Sequence, residues 1–201
     1  MKFTTLLFAV SFILSGSLFA DDEITESYKL EYKRKYAEAL TIMESLAKKD
    51  PSNYFYQLRA GWVAYIKGEY SKSNAFSEKA ILLKPKSAEA RISQIRALMA
   101  LGQFKQVISS CASLLKIDSK SYYARTSQAY AYYATGNFKE AEKQYLSVLE
   151  DYPADTEMLI GLGWSYIKQG NKPGSKAVFD QLKDMVPGDE RVKSGIKYAE
   201  K

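Results

Sequence analysis

The sequence predicts an all-α chain, a solenoid of about five helix-turn-helix units closed by a C-terminal capping helix, and three observations carry that prediction. Gly68, Gly102, Gly136 and Gly170 recur at one constant interval. Pro51, Pro85, Pro153 and Pro187 keep the same period, with Ser119 at the one missing step. A third register, Leu46, Ala80, Leu114, Val148 and Leu182 in the second helices, keeps the period as well. Each glycine falls where a chain reversing between antiparallel helices needs a residue without Cβ strain. Each proline closes a second helix, because it cannot continue the hydrogen-bond ladder.

Taken in order, the chain opens with Met1-Lys2 and an apolar run from Leu6 to Phe19, interrupted by Ser11, Ser15, Gly16 and Ser17. A bilayer span needs about 20 apolar residues. This run is shorter and suits the apolar region of a signal peptide, so residues 1–20 are expected to be removed after Ala20, ahead of Asp21-Asp22. An uncleaved anchoring helix is the competing reading. The remaining chain, 21–201, carries a formal charge of +5, since the segment takes only Lys2 from the total of +6. Its lysines and glutamates are interspersed, the pattern of solvated helix faces. No later stretch approaches membrane-spanning length.

The units are drawn at about 21–53, 54–87, 88–121, 122–155 and 156–189, with a capping helix over 190–201. The first is the most degenerate, because Arg34 stands in place of the turn glycine. In the last, Pro173-Gly174 opens the second helix, and Pro173 fits the first turn of a helix capped by Asn171. The tail from Asp189 places Val192, Ile196 and Ala199 on one face, with Arg191, Lys193, Lys197 and Lys201 elsewhere. That is a polar-backed cap over the last apolar face; a short basic membrane-binding helix is the alternative.

These residues resemble the tetratricopeptide repeat, a helix-turn-helix unit of this length, over nearly all of 21–201. Two residues past each turn the family favours an aromatic, and here stand Tyr36, Tyr70, Phe104 and Phe138, with Lys172 departing from the pattern. Small or apolar residues follow at Ala39, Ser73, Val107, Ala141 and Ser175. The small contact residue of the first helices appears as Gly61, Ala129 and Gly163, with Ile95 as an exception expected to push its two helices slightly apart. The resemblance implies a right-handed superhelix whose concave surface is lined by the first helices.

Catalysis finds little support. Histidine is absent, which removes the usual general base near neutrality and the imidazole metal ligand. The single thiol, Cys111, lies between Ile108 and Leu114-Leu115 and reads as core. Asp21-Asp22, Glu150-Asp151 and Asp189-Glu190 read as surface and capping charges. Gly161-Leu162-Gly163 lacks the preceding strand and third glycine of a nucleotide loop and reads as close helix packing. No catalytic residue, metal site or cofactor is expected.

Binding is better supported. One residue past Gly61 stands Trp62, and the same repeat step leads on to Arg96, Tyr130 and Trp164, with Tyr28 in the first unit. Phe55, Arg59 and Tyr65 add to this face in the second unit, Tyr123 and Tyr133 in the fourth, and Lys168 in the fifth. Large aromatics and arginine anchor protein interfaces because they bury much area for little rotamer entropy. These residues, Tyr28 apart, form the candidate binding set; lining of the concave surface and packing between repeats remain its two readings, whereas Tyr132 and Tyr166 read as core. The family's clamp for an acidic C-terminal tail uses lysines and asparagines, and Leu58, Trp62, Glu89, Ser93 and Arg96 stand there instead.

The expected function is a non-enzymatic scaffold of the cell envelope, bacterial periplasm first and secretion second, that binds a peptide or partner segment. Arg59, Arg96 and Lys168 would favour acidic or C-terminal carboxylate groups. Cell-wall glycan binding is the alternative, self-association through the solenoid ends remains open, and the modest charge disfavours nucleic acid.

Overall fold

The computed structural model of the protein describes residues 22–200, so the expected signal peptide lies outside the described residues. Helices account for nearly all of it: α1 over 22–32, α2 (Tyr36–Lys49), α3 (Tyr54–Lys67), α4 (Tyr70–Leu83), α5 (Ala88–Ala100), α6 (Phe104–Leu115), α7 (Tyr122–Ala134), α8 (Phe138–Asp151), α9 (Thr156–Gln169), α10 (Lys172–Met185) and α11 (Glu190–Ala199). The fold is an all-α solenoid of paired helices. None of the described helices is long and apolar enough to cross a membrane.

Gly68, Gly102, Gly136 and Gly170 all adopt left-handed backbone, with φ from 67° to 90°. Gly68 and Gly170 end α3 and α9, and the amide of Gly68 donates to the last-turn carbonyl of Tyr65 at 2.9 Å. Where the first unit lacks the glycine, the backbone keeps the turn regardless: Arg34 sits at φ 59°, the only non-glycine with positive φ among the described residues.

A further ladder marks the starts of the first helices. Asn53, Ser87, Ser121, Asp155 and Asp189 recur with the period of the turn glycines, immediately ahead of α3, α5, α7, α9 and α11. Four of the five side chains accept from a backbone amide of the first turn: Asn53 from Tyr56 at 3.2 Å, Ser87 from Ala90 at 3.1 Å, Asp155 from Met158 at 3.2 Å and Asp189 from Arg191 at 2.7 Å. These are residue types that satisfy the open amides of a helix start. Two caps also hold the preceding unit: the Tyr54 hydroxyl meets Ser87 Oγ at 2.7 Å, and the Tyr122 hydroxyl donates to Asp155 at 2.5 Å. Sharing its proton with that carboxylate pushes the Tyr122 phenol up to about 12.

The chain forms two compact units, one ending at Ala97 and one beginning at Leu98. The core of the first joins Leu30, Leu40, Met43, Leu46, Ala60, Val63 and Ala64. In the second, Ala129, Ala141, Tyr145, Val148 and Leu162 form one cluster, and Leu159, Ile160, Phe179, Leu182 and Val192 form another. The register Leu46, Ala80, Leu114, Val148, Leu182 is fully buried throughout, as are Ala39, Ser73, Val107, Ala141 and Ser175. Ile95 is also fully buried. Cys111 lies in the core, and burial pushes its thiol up to about 12.

Close helix packing explains the glycine pair of α9. A side chain at Gly161 would collide with the ring of Tyr145, and one at Gly163 would come within 2.8 Å of Phe179. Phe179 also faces Gly195 of α11. The capping helix therefore closes over α10 at a glycine, with Val192 and Ala199 buried and Ile196 against the same cluster. Asn171 caps α10, accepting from Gly174 at 3.0 Å with Pro173 in the first turn.

Candidate functional site

Two clefts open on the first helices, one in each unit. The N-terminal cleft, about 420 Å³, is lined by Leu58, Arg59 and Trp62 of α3 and by Glu89, Ile92, Ser93 and Arg96 of α5. The C-terminal pocket, about 400 Å³, is lined by Tyr130 and Tyr133 of α7, Tyr145 of α8, Glu157, Met158, Ile160, Gly161 and Trp164 of α9, and Arg191 of α11.

The two are built at the same register. Moving two repeats along the chain carries Trp62 to Tyr130, Glu89 to Glu157, Ile92 to Ile160, Ser93 to Gly161 and Arg96 to Trp164. Fold residues hold the aromatic walls in place. Phe104 and Phe138, the aromatics that open α6 and α8, meet the rings of Tyr130 and Tyr133 edge-on at 5.8 and 5.4 Å. Trp164 is held between Phe179 at 5.9 Å and Tyr198 of the capping helix at 5.7 Å. In the N-terminal unit Tyr65 stacks on Trp62 at 6.2 Å and leans on Tyr70 at 5.6 Å. Rings supported in this way present a preformed surface, so little rotamer entropy is lost on binding.

Of the expected binding residues, Arg59, Trp62 and Arg96 share the N-terminal cleft, and Tyr130, Tyr133 and Trp164 share the C-terminal pocket. Phe55 is exposed with its edge to Tyr56, Tyr65 supports Trp62, Tyr123 is half-buried on α7, and Lys168 is exposed in the last turn of α9. Trp62 and Tyr130 are 37% and 48% exposed, enough to meet a partner.

The charges are arranged differently from the sequence expectation. Arg59 is almost buried, ion-paired to Glu31 of α1, with its guanidinium 4.0 Å over the ring of Tyr28. The other oxygen of Glu31 accepts from the Trp62 indole at 3.2 Å. Arg59 is thus a structural partner of Glu31, and its charge is already met by a carboxylate. Arg96 stands 5.9 Å over the Trp62 ring. Arg191, expected on the polar back of the capping helix, instead turns to α9: Nη1 and Nη2 donate to Glu157 at 2.8 and 2.7 Å, and Nη2 donates to Asp189 at 2.6 Å. The Arg191 guanidinium holds the Asp189 carboxyl down to about 2. Burial raises the Tyr145 and Tyr133 phenols above their ordinary value, so both stay neutral.

Glu31, Tyr145, Glu157 and Arg191 are site residues that the stripe of first-helix positions did not include. Glu31 lies one helical turn after Tyr28, and Arg191 lies one full repeat after Glu157. The same stepwise reading, started at Glu89 as well as at Trp62, would have reached both Glu157 and Arg191.

Residues 126–190 match the family model described as tetratricopeptide repeat. No curated protein matches the sequence. Among solved structures, YrrB, described as a TPR protein with an unusual peptide-binding site, shares 19% identity over 87% of this chain and 90% of its own, with a TM-score of 0.77. A tetratricopeptide repeat protein from Parabacteroides merdae ATCC 43184 shares 18% over 90% of this chain and 72% of its own, at 0.80. MamA from residue 41 onward, of Desulfovibrio magneticus RS-1, shares 13% over 85% and 97%, at 0.77. Residues 126–190 thus carry the tetratricopeptide-repeat pattern, and these solved structures share the paired-helix fold of the described chain.

Proposed function

We propose that the chain is a non-enzymatic adaptor of the cell envelope, exported to the bacterial periplasm by residues 1–20, that holds a peptide or partner segment against its aromatic clefts. The observation that carries this reading is the recurrence of one cleft design two repeats apart, with each aromatic wall supported by residues of the fold. Each cleft supplies a ring to pack on and a polar group to orient a bound segment. The description of YrrB as peptide-binding agrees with this use of the fold. Of the three cations expected to favour carboxylates, Arg59 instead serves Glu31.

The test replaces Trp62 and Trp164 by alanine, singly and together, and compares the partners crosslinked in the native envelope once circular dichroism has shown unchanged helicity. The double variant is expected to lose its main crosslinked partners; an unaltered set would sink the proposal. Export is checked separately by the mass of the chain recovered from the periplasmic fraction, which should begin at Asp21.

A further inference from the structure

We infer that the C-terminal pocket is a receptor for a cationic side chain, a lysine or arginine carried by the bound segment. This deepens the scaffold reading and rests on it. The N-terminal cleft shows what this register accepts: there the chain places its own cation, Arg96, 5.9 Å over the Trp62 ring, in a cleft that also holds Glu89. Two repeats on, the carboxylate is kept as Glu157 and the ring as Tyr130, but the position of Arg96 is taken by Trp164. The pocket thereby gains a second aromatic wall and gives up the cation that sits against the first. A cation is drawn to the faces of tyrosine and tryptophan rings by their quadrupoles, and a carboxylate at the rim adds to the attraction.

Arg191 does not reverse this polarity. Its Nη1 and Nη2 donate to Glu157, and Nε and Nη2 donate to Asp189, so one guanidinium is shared between two carboxylates and the cluster carries a net negative charge. An incoming carboxylate meets no open fork there and faces phenols and a guanidinium already shared by two carboxylates. A lysine or arginine, by contrast, can lay its methylene stem along Met158 and Ile160 and set its charge between the rings and Glu157. The volume, about 400 Å³, admits one such side chain with the backbone on either side.

The test uses the full chain carrying W62F, which leaves Trp164 as its only tryptophan. Trp164 fluorescence is titrated with four capped tripeptides of the form acetyl-Gly-X-Gly-amide, where X is lysine, arginine, norleucine or glutamate. Lysine and arginine are expected to bind about tenfold more tightly than norleucine, with the advantage reduced by salt, and glutamate to bind more weakly still. Y130L, which keeps an apolar wall but removes the ring face, should weaken lysine binding about fivefold and leave norleucine nearly unchanged. E157Q should lower the preference for lysine in the same direction, and Y130L carries the test if E157Q melts early. The reciprocal chain W164F, reporting from Trp62, should show no lysine-dependent change. Norleucine binding as well as lysine would overturn the cation assignment while leaving the scaffold reading intact. Tighter binding of glutamate would also overturn it, as would no response to any of the four; the crosslinking from Trp62 and Trp164 then decides the scaffold reading on its own.

Discussion

In the N-terminal cleft Ser77 and Ser93 meet by a hydrogen bond of 2.8 Å, whereas at the same register in the C-terminal pocket the ring of Tyr145 lies against Gly161. Both pairs fill the contact between a second helix and the first helix that follows it, and both are buried or nearly so. One solution joins two small polar residues; the other sets a large ring into the space of a missing side chain. With the backbone register held constant, this exchange decides what a cleft can be. Small residues leave a cleft whose character comes from Arg96, Trp62 and the Glu31–Arg59 pair, while the large ring gives a pocket walled by phenols and an indole. A repeat fold thus varies its binding chemistry without changing its turns, because the side chains packed at one register can differ from repeat to repeat while the glycine turns stay in place.

The largest expected effect lies where the second unit depends on a ring between two glycines. Phe179→Ala removes a side chain with no exposed surface, packed on Gly163 and Gly195, and should cost about 3–5 kcal/mol in urea unfolding and loosen the capping helix. The comparison itself is tested by Gly161→Ala against Ser93→Ala. The first forces Tyr145 out of its place and should cost about 1–3 kcal/mol. The second leaves Ser77 still donating to the Ser73 carbonyl at 2.9 Å and should cost about 0.5–1 kcal/mol. Equal costs would mean that the two contacts are not built differently.

In the N-terminal unit, Glu31→Ala strands Arg59, whose side chain is only 13% exposed, and should cost about 1–3 kcal/mol, read by thermal melting of the variant and of the Arg59→Met double variant. The effect of opposite sign comes at the degenerate turn. Arg34 holds φ 59° without being glycine, so Arg34→Gly should stabilise the protein by about 0.5–1 kcal/mol.

The smallest change is an acid response of the second unit. Asp189 has a carboxyl held down to about 2 from its ordinary 3.8, chiefly by Arg191. A lowered value means that the folded state favours the ionised form. Its contribution is therefore fully present above about pH 4 and is lost as the pH falls toward about 2. Amide exchange in α11 should quicken over that range, and Asp189→Asn should flatten the response.

The periodic part of this structure was legible in the chain. The glycine turns, the proline stops, the buried register from Leu46 to Leu182, the cap by Asn171 with Pro173 and the core position of Cys111 all stand where residue type and spacing put them. The ladder of caps from Asn53 to Asp189 was equally open to reading and needed only the same step from another residue. The candidate site was legible in part: the stripe supplied Trp62, Arg96, Tyr130 and Trp164, but not which of them share a cleft.

What the sequence by itself determined is the repeat, because turns, stops and helical faces follow from backbone preferences and apolar spacing within a few residues. What only the tertiary structure decided is where the long side chains go. Arg59 reaches Glu31 in the preceding repeat, and Arg191 reaches back a whole repeat to Glu157. Local periodicity assigns such residues to a face, but the partner depends on how close the neighbouring helix comes. That distance is set by the volumes packed between the helices, such as Ser77 with Ser93 in one unit and Tyr145 with Gly161 in the other.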